Sequence, residues 1–291
     1  MIRIAMTGGD GLVGSKIVEI LKADENFNLT LILEQQMDIT SRDNVFNTLK
    51  DLNFDLFLHL AAYTNVDKAE IEKEKAWKIN VEGTRNVFDA VNFMNKNFVY
   101  ISTDFVFDGK KQNSPFFEDS KPNPISHYGL TKYEGERIIK GKGTIIRISY
   151  PYRTNFNNKT DIVRNIRSLL EQGKQLTMIT DSLIVPTFID DIAYALNKLF
   201  RKKFNQKPDL NFNPEIFHLV GSQAISPYDF GNIIAKAFGL DESLIKPTTY
   251  EEYFKTNAKR PQFSDIKSRS NNFYKMGGFE ETISKIKNNF K

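Results

Sequence analysis

Short, almost unbroken apolar runs alternate along this chain with stretches whose apolar residues recur every three or four positions. The runs "IRIAM" (2–6), "LTLIL" (29–33), "LFLHLAA" (56–62), "FVYIST" (98–103), "TIIRIS" (144–149) and "IFHLV" (216–220) predict strands. They lack the in–out alternation of a half-exposed strand, so they predict burial on both faces, as in a parallel sheet. The intervening stretches predict amphipathic helices. Val13, Ile17, Ile20 and Leu21 share one helical face, and "NVEGTRNVFDAVNFM" (80–94) repeats the pattern with Val81, Val87, Phe88 and Val91. A strand–helix alternation of this kind predicts an α/β fold with a doubly wound parallel sheet of the Rossmann type.

After about residue 150 the rhythm loosens. "YPYRTNFNNKTD" (150–161) is polar, and Pro186, Pro208, Pro214, Pro227, Pro247 and Pro261 punctuate the rest of the chain. The expected organisation is a dinucleotide-binding domain over residues 1–150 and a smaller, mainly substrate-binding part over 151–291. The chain is expected to re-enter the first domain around 187–221.

Composition narrows the picture. The 291 residues are 40% hydrophobic and 26% charged, as in a soluble globular protein. A net charge of +4, dispersed along the chain, argues against a nucleic-acid partner. The absence of cysteine excludes disulfides, thiol catalysis and thiolate metal sites. His59, His127 and His218 are far apart without ligand spacing, so no metal is expected and each reads as structural. No apolar run approaches the roughly 18 residues that span a bilayer. The N-terminus runs straight into a strand, with no signal peptide expected. No membrane partner and a cytoplasmic location are therefore expected.

Candidate chemistry begins at "AMTGGDGLVGSK". Gly8, Gly11 and Gly14 recur every three residues between the first strand and the first helix. Such a turn lets main-chain N–H groups approach a pyrophosphate at a helix N-terminus, so Gly8, Gly11, Leu12 and Val13 are expected cofactor contacts. Glu34 follows the second strand, where an acid accepts hydrogen bonds from the adenosine ribose and repels a 2′-phosphate. The cofactor is thus read as NAD or NADP, with the acid favouring NAD.

A Tyr-x-x-x-Lys pair occurs twice, as Tyr128/Lys132 and Tyr194/Lys198; with 11 Tyr in the chain, roughly one such pair arises by chance. Tyr194 lies beside the apolar stripe of an ordinary amphipathic helix. Tyr128 begins a helix after a Pro-rich loop, downstream of the fourth strand and its "STD" end, where an open α/β sheet places its cleft. Ketone reduction needs a proton donor, and a phenol of pKa about 10 is a poor one near neutrality. A lysine one turn away is expected to stabilise the phenolate and lower that pKa. Thr103 or Ser102 is expected to hold the carbonyl oxygen; strand alternation allows only one of them to do so.

These motifs together, with "HLAAYTNVDKAE", "ISTDFVFDG", "HYGLTK", "DSLIVPTFIDDIA" and "AKRPQFS", resemble the extended short-chain dehydrogenase/reductases. More narrowly they resemble the dTDP-4-dehydrorhamnose reductase family, across nearly the whole chain. The resemblance implies a catalytic trio of Thr103, Tyr128 and Lys132, with Tyr128 as proton donor to a 4-keto deoxy-sugar nucleotide. It implies cofactor contacts at Asp38, Ile39, Ala61, Ala62 and Tyr63. It implies substrate contacts at Thr64, Val66, Asp104, Phe105, Tyr150 and Arg260. A nucleotide-sugar substrate and a homodimeric assembly follow from the same resemblance.

The chain departs from that family where Phe105 replaces a usual tyrosine, where Tyr150 replaces a common tryptophan, and at Phe263, where a small polar residue is usual. All fall on the substrate side, so the departures bear on the sugar rather than the hydride machinery. Three alternatives stay open or nearly so. A 4,6-dehydratase would need a second acid/base pair, and Phe105 cannot transfer protons. A nucleotide-sugar epimerase is compatible with the same residues. So is a non-catalytic NAD(P)-binding subunit resembling the regulatory subunit of methionine adenosyltransferase.

Overall fold

A computed structural model describes residues 1–205, 215–255 and 258–290. Pro208 and Pro214, and part of the expected re-entry segment, lie outside the described residues. The first half runs β1 (Ile2–Thr7), α1 (Gly14–Lys22), β2 (Phe27–Ile32), α2 (Arg42–Leu49), β3 (Leu56–His59), α3 (Val66–Ile71), α4 (Lys73–Trp77), a π-helical segment (Lys78–Gly83), α5 (Thr84–Phe93), β4 (Asn97–Thr103), α6 (His127–Ile139) and β5 (Thr144–Ile148). The second runs β6 (Pro151–Tyr152), α7 (Ile162–Glu171), β7 (Leu176–Ile179), β8 (Thr187–Phe188), α8 (Ile189–Asn205), β9 (Ile216–His218), α9 (Pro227–Phe238), β10 (Ile245–Thr248), α10 (Tyr250–Tyr253) and α11 (Phe279–Ile286).

Six strands form one parallel sheet in the order β2-β1-β3-β4-β5-β9. The sequence shows no alternation because both faces are covered. Ile4, Met6, Leu58, Val99, Ile101 and Ile146 pack under Ile17 and Leu21 of α1 and Ile192, Leu196 and Phe200 of α8. Their neighbours Ala5, Phe57, Phe98, Tyr100 and Ile145 pack under Val45 and Leu49 of α2, Val87 and Val91 of α5, and Ile139 of α6. This is a Rossmann-like, doubly wound α/β fold. Its sixth strand, β9, and one covering helix, α8, come from beyond residue 187.

The remaining segments build a second core. Val163, Ile166 and Leu170 of α7 meet Phe230 and Ile234 of α9 and Phe279 and Ile283 of α11. The parallel pairs β7–β10 and β6–β8 border it. Local chemistry sets these helix ends: the Asp161 carboxylate accepts from Val163 and Arg164 N–H groups at the start of α7. Ser226 caps α9 ahead of Pro227, and Gly239 closes it at φ +65°, where only glycine is unstrained.

One helix differs from the expected pattern. The stretch 80–94 is not uniformly α-helical, because residues 78–83 take π-helical pairing before α5 begins. A Cβ on Gly83 would stand 2.9 Å from Ile39, so the widened turn passes close beneath the loop after β2. The same turn aims Asn80 at the main chain of Tyr63. Among the described residues no helix is long and apolar enough to cross a membrane.

Candidate functional site

The chain leaves β1 toward β2 on one side and reaches β3 on the other. The C-terminal ends of β1 and β3 therefore diverge, which opens a crevice at the topological switch point. A cleft of about 1020 Å³ occupies this place, and its walls include the ends of β1, β3 and β4, the start of α6 and the loop after β5.

Gly8, Gly11, Leu12 and Val13 form one wall. Gly8 sits at φ +67°, and a Cβ there would lie 2.9 Å from the Ala61 nitrogen, so bare backbone faces the crevice. Gly14 opens α1 with no room for a side chain, since its Cβ would fall 2.0 Å from the Gly8 carbonyl oxygen. Ala61, Ala62 and Tyr63 line the facing side after β3. Asn80 holds this segment: it accepts from Tyr63 N–H at 2.7 Å and donates to the Tyr63 carbonyl at 3.0 Å. Its amide also donates to Thr131 of α6 at 2.9 Å, tying the two walls together.

Glu34, Asp38 and Ile39 line the end beyond β2. Glu34 is exposed. The Asp38 carboxylate accepts from the hydroxyl of Thr40 at 2.8 Å and from its N–H at 2.9 Å, which holds its pKa below the usual range. The bare glycine backbone, small alanines and carboxylates fit a dinucleotide, with phosphates at the turn and a ribose near the acids.

The opposite corner carries the polar chemistry. Ser126 caps α6 by accepting from Gly129 N–H at 3.1 Å. A Cβ on Gly129 would lie 2.2 Å from the Phe105 carbonyl, so the helix start packs directly on residues 104–106. Tyr128 is thereby set edge-on to Phe105, ring centres 5.8 Å apart, and lines the cleft with Thr103 and Lys132. Lys132 is buried; its Nζ donates to the Ile101 carbonyl at 2.8 Å and lies 4.0 Å over the Tyr100 ring. Burial lowers its pKa to about 7, with the Glu136 carboxylate working the other way.

The expected depression of the Tyr128 pKa is absent. Burial and the Asp104 carboxylate push the phenol up, opposed by a hydrogen bond with Thr103, while the Lys132 ammonium is engaged by a main-chain oxygen. Tyr128 is therefore held firmly as the neutral phenol. Thr103 donates to Asp104 Oδ1 at 3.1 Å and accepts from Phe105 N–H at 3.3 Å. Ser102 also reaches the cleft lining, and its buried hydroxyl has no protein partner. Asp104 is buried and accepts from Ser149 at 3.1 Å and from Ser264; burial raises its pKa to about 6.

Thr64, Val66, Asp104, Phe105 and Tyr150 line the remaining walls. Tyr150 stands at φ +40°, a left-handed conformation rare for an aromatic residue, at the point where the chain leaves the sheet. Arg260 does not line the cleft. Its guanidinium pairs with Asp67 at 2.9 Å and lies over Phe254, so an acid at the start of α3 draws it to the rim. Tyr194 and Lys198 are on α8, outside the lining; Tyr194 is half-exposed and stacks on Tyr274, and Lys198 covers the same ring.

Sequence reasoning missed Lys75, Lys78 and Lys159, which line the cleft, and Asn80 and Arg153, which support it. Lys159 reaches across to donate to Thr64 at 3.1 Å. Lys75, Lys78 and Asn80 stand on helical turns and Lys159 in a polar loop, and single polar residues at such places carry no periodic or motif signal.

Comparison with known proteins agrees with this fold. A family described as the RmlD substrate binding domain matches residues 2–286. The dTDP-4-dehydrorhamnose reductase of Aggregatibacter actinomycetemcomitans is 29% identical over 90% of this chain and 89% of its own length. The spore coat polysaccharide biosynthesis protein SpsK of Bacillus subtilis is 30% identical, covering 93% of this chain and 90% of that protein. The solved structure of dTDP-4-dehydrorhamnose reductase from Bacillus anthracis in complex with NADP superimposes with a TM-score of 0.86 at 29% identity, covering 98% of both chains.

Proposed function

Because the chain belongs to the RmlD substrate binding domain family, we propose that it is an NAD(P)H-dependent reductase acting on the 4-keto group of a deoxy-sugar nucleotide. The observation that carries this reading is the convergence of Thr103, Tyr128 and Lys132 with the glycine turn on one cleft.

The dinucleotide, when bound, supplies hydride to C4. Everything else is done by side chains of this protein. Gly8, Gly11, Leu12 and Val13 offer main chain to its phosphates, and Asp38 and Ile39 adjoin its adenosine end. Tyr128, kept as the neutral phenol, donates the proton to the forming alkoxide. Thr103 orients the ketone oxygen, and Lys132 opposes the phenolate charge that remains on Tyr128. Phe105 and Tyr150 line the sugar side, with Arg260 at the rim for the anionic part of the substrate.

The cofactor is NAD or NADP. Exposed Glu34 favours NAD, because a carboxylate repels a 2′-phosphate. The NADP complex of the similar Bacillus anthracis enzyme supports the phosphorylated form. A nucleotide sugar and a second copy of the chain are the expected partners.

The test is to mix the purified protein with NADH or NADPH and a 4-keto deoxy-sugar nucleotide and follow absorbance at the nicotinamide band. Stoichiometric cofactor oxidation with reduction of the ketone is expected. Cofactor binding without turnover would overturn the reductase reading in favour of a non-catalytic subunit. Stereochemical inversion of a nucleotide sugar with no net oxidation would favour an epimerase.

A further inference from the structure

Beneath the cleft lies a chain of buried charged and polar groups that the proposed reduction does not use. Glu136 stands one helical turn beyond Lys132 on α6. Its two carboxylate oxygens accept from Arg147 Nε at 2.9 Å and Nη2 at 2.7 Å, with both side chains almost fully buried. Arg147 Nη1 donates to His218 Nε2 at 3.2 Å. Arginine only donates, so Nε2 must accept; the ring proton is on Nδ1, which donates to the Lys267 carbonyl at 2.7 Å. Burial and the Arg147 charge hold His218 neutral, with a pKa of about 4.

An ion pair in the middle of a core is not explained by stability, since a well-packed apolar pair of similar volume is commonly as stable. What distinguishes this pair is its position. Lys132 has been taken out of water beside a ring and a carbonyl oxygen, and burial works against its charge. The ionisable groups that face or couple to it are Glu136 on α6, Tyr100 on β4 and His59 on β3, and Tyr128, one turn before it on α6, lines the same cleft. His59 is kept neutral by burial, and burial also pushes the Tyr100 phenol up. Tyr128 is a neutral phenol. Glu136 is the carboxylate that works against the desolvation of Lys132, and the bidentate grip of Arg147 fixes where that carboxylate sits.

We propose that Glu136, one turn along α6 from Lys132, is a positioning residue whose buried carboxylate favours the charged ammonium, and that Arg147 and His218 hold Glu136 in place from β5 and β9. This rests on the reading of Tyr128 and Lys132 as the reacting pair. It assigns the buried chain an electrostatic role toward the cleft rather than a purely architectural one.

The test follows the protonation of Lys132 directly, by NMR of protein carrying lysine labelled with ¹³C at the ε carbon. The resonance is identified by its loss in Lys132→Met. In the unmodified protein it is expected to titrate near pH 7. In Glu136→Gln the midpoint falls by about one unit or more, the size of losing one opposite charge at a buried site. Glu136→Asp, which keeps the charge, restores most of the shift. If Glu136→Gln alone does not fold because Arg147 is left unpaired, Glu136→Gln with Arg147→Met takes its place and is compared with Arg147→Met alone, so that the two differ only in the Glu136 charge. A midpoint that the loss of the Glu136 charge does not move, in whichever comparison folds, overturns the proposal.

In turnover, the pH profile of kcat moves down by the same amount, whereas a merely structural role would lower kcat without moving the profile. A shifted Lys132 midpoint in a protein that turns over no ketone leaves this inference standing and removes the reductase reading. The converse separates them the other way.

Discussion

Arg153 donates from Nη1 to the Leu12 carbonyl at 3.1 Å, so the loop after β6 is fastened to the glycine turn of the opposite wall. The same nitrogen reaches Ser15 at 2.8 Å. Replacing Arg153 with Met should therefore loosen the turn without touching Tyr128. A roughly tenfold rise in the dinucleotide Kd is expected, the scale of one hydrogen bond to a charged group. Fluorescence titration of the bound cofactor measures it, and an unchanged Kd would show that the turn holds its shape alone.

Tyr128→Phe should lower turnover by about 10²-fold or more, as for loss of a general acid, with the dinucleotide Kd little changed. Tyr194→Phe, made in the other Tyr-x-x-x-Lys pair, should leave turnover as it was, because that hydroxyl is outside the cleft lining. Steady-state kinetics on the two variants side by side decides the matter. Equal activities would break the assignment of Tyr128.

Gly14→Ala should destabilise the protein by about 1–3 kcal/mol, since the new methyl group has to displace the Gly8 carbonyl. Dinucleotide affinity should fall with it, because that carbonyl belongs to the turn that faces the phosphates. Urea denaturation with and without cofactor gives both quantities. A variant as stable as the parent would mean the turn has slack the structure does not show.

Asp104 predicts a pH signature. Its folded pKa of about 6 lies above the 3.8 of an unperturbed aspartate. The folded state therefore holds this proton more tightly, and the stability it brings is full below about pH 4 and lost as pH rises through 6. The loss is about 3 kcal/mol as an upper figure. Asp104→Asn should flatten this part of the stability curve between pH 4 and 7, measured by denaturant titrations at each pH. Parallel curves for variant and parent would show that Asp104 does not titrate there.

Much of the sheet was legible because continuous apolar runs such as "FVYIST" have one physical explanation, burial on both faces. The edges were less so: β2 ends at Ile32, and Leu33 is exposed. Strands of two to four residues, β6, β7, β8 and β10, are too short to show any period. The π-helical segment was hidden because one extra residue per turn does not disturb an apolar pattern as broad as that of 80–94. Every expected cleft residue except Arg260 lies in the lining; the glycine turn and the Tyr128/Lys132 pair follow from their spacing and place in the fold, whereas Asp38, Ala61, Thr64, Tyr150 and their neighbours were expected only from the family resemblance. Arg260 escaped because its partner, Asp67, is nearly two hundred residues away. The direction of the Tyr128 shift was equally invisible: it depends first on how deeply the phenol itself is buried and then on the Asp104 carboxylate beside it, neither of which local sequence encodes.

The sheet's last strand, β9, is made of residues 216–218, and α8, covering one of its faces, of residues 189–205. A ribosome that has released only the first 150 residues has made five of the six strands. On the α8 side Leu58, Val99, Ile101 and Ile146 then have no lid, and the edge of β5 is open. Parallel pairing across such separations is slow to form. The nascent chain must carry an exposed apolar sheet until about seventy further residues emerge, an interval in which chaperone capture or aggregation competes with folding.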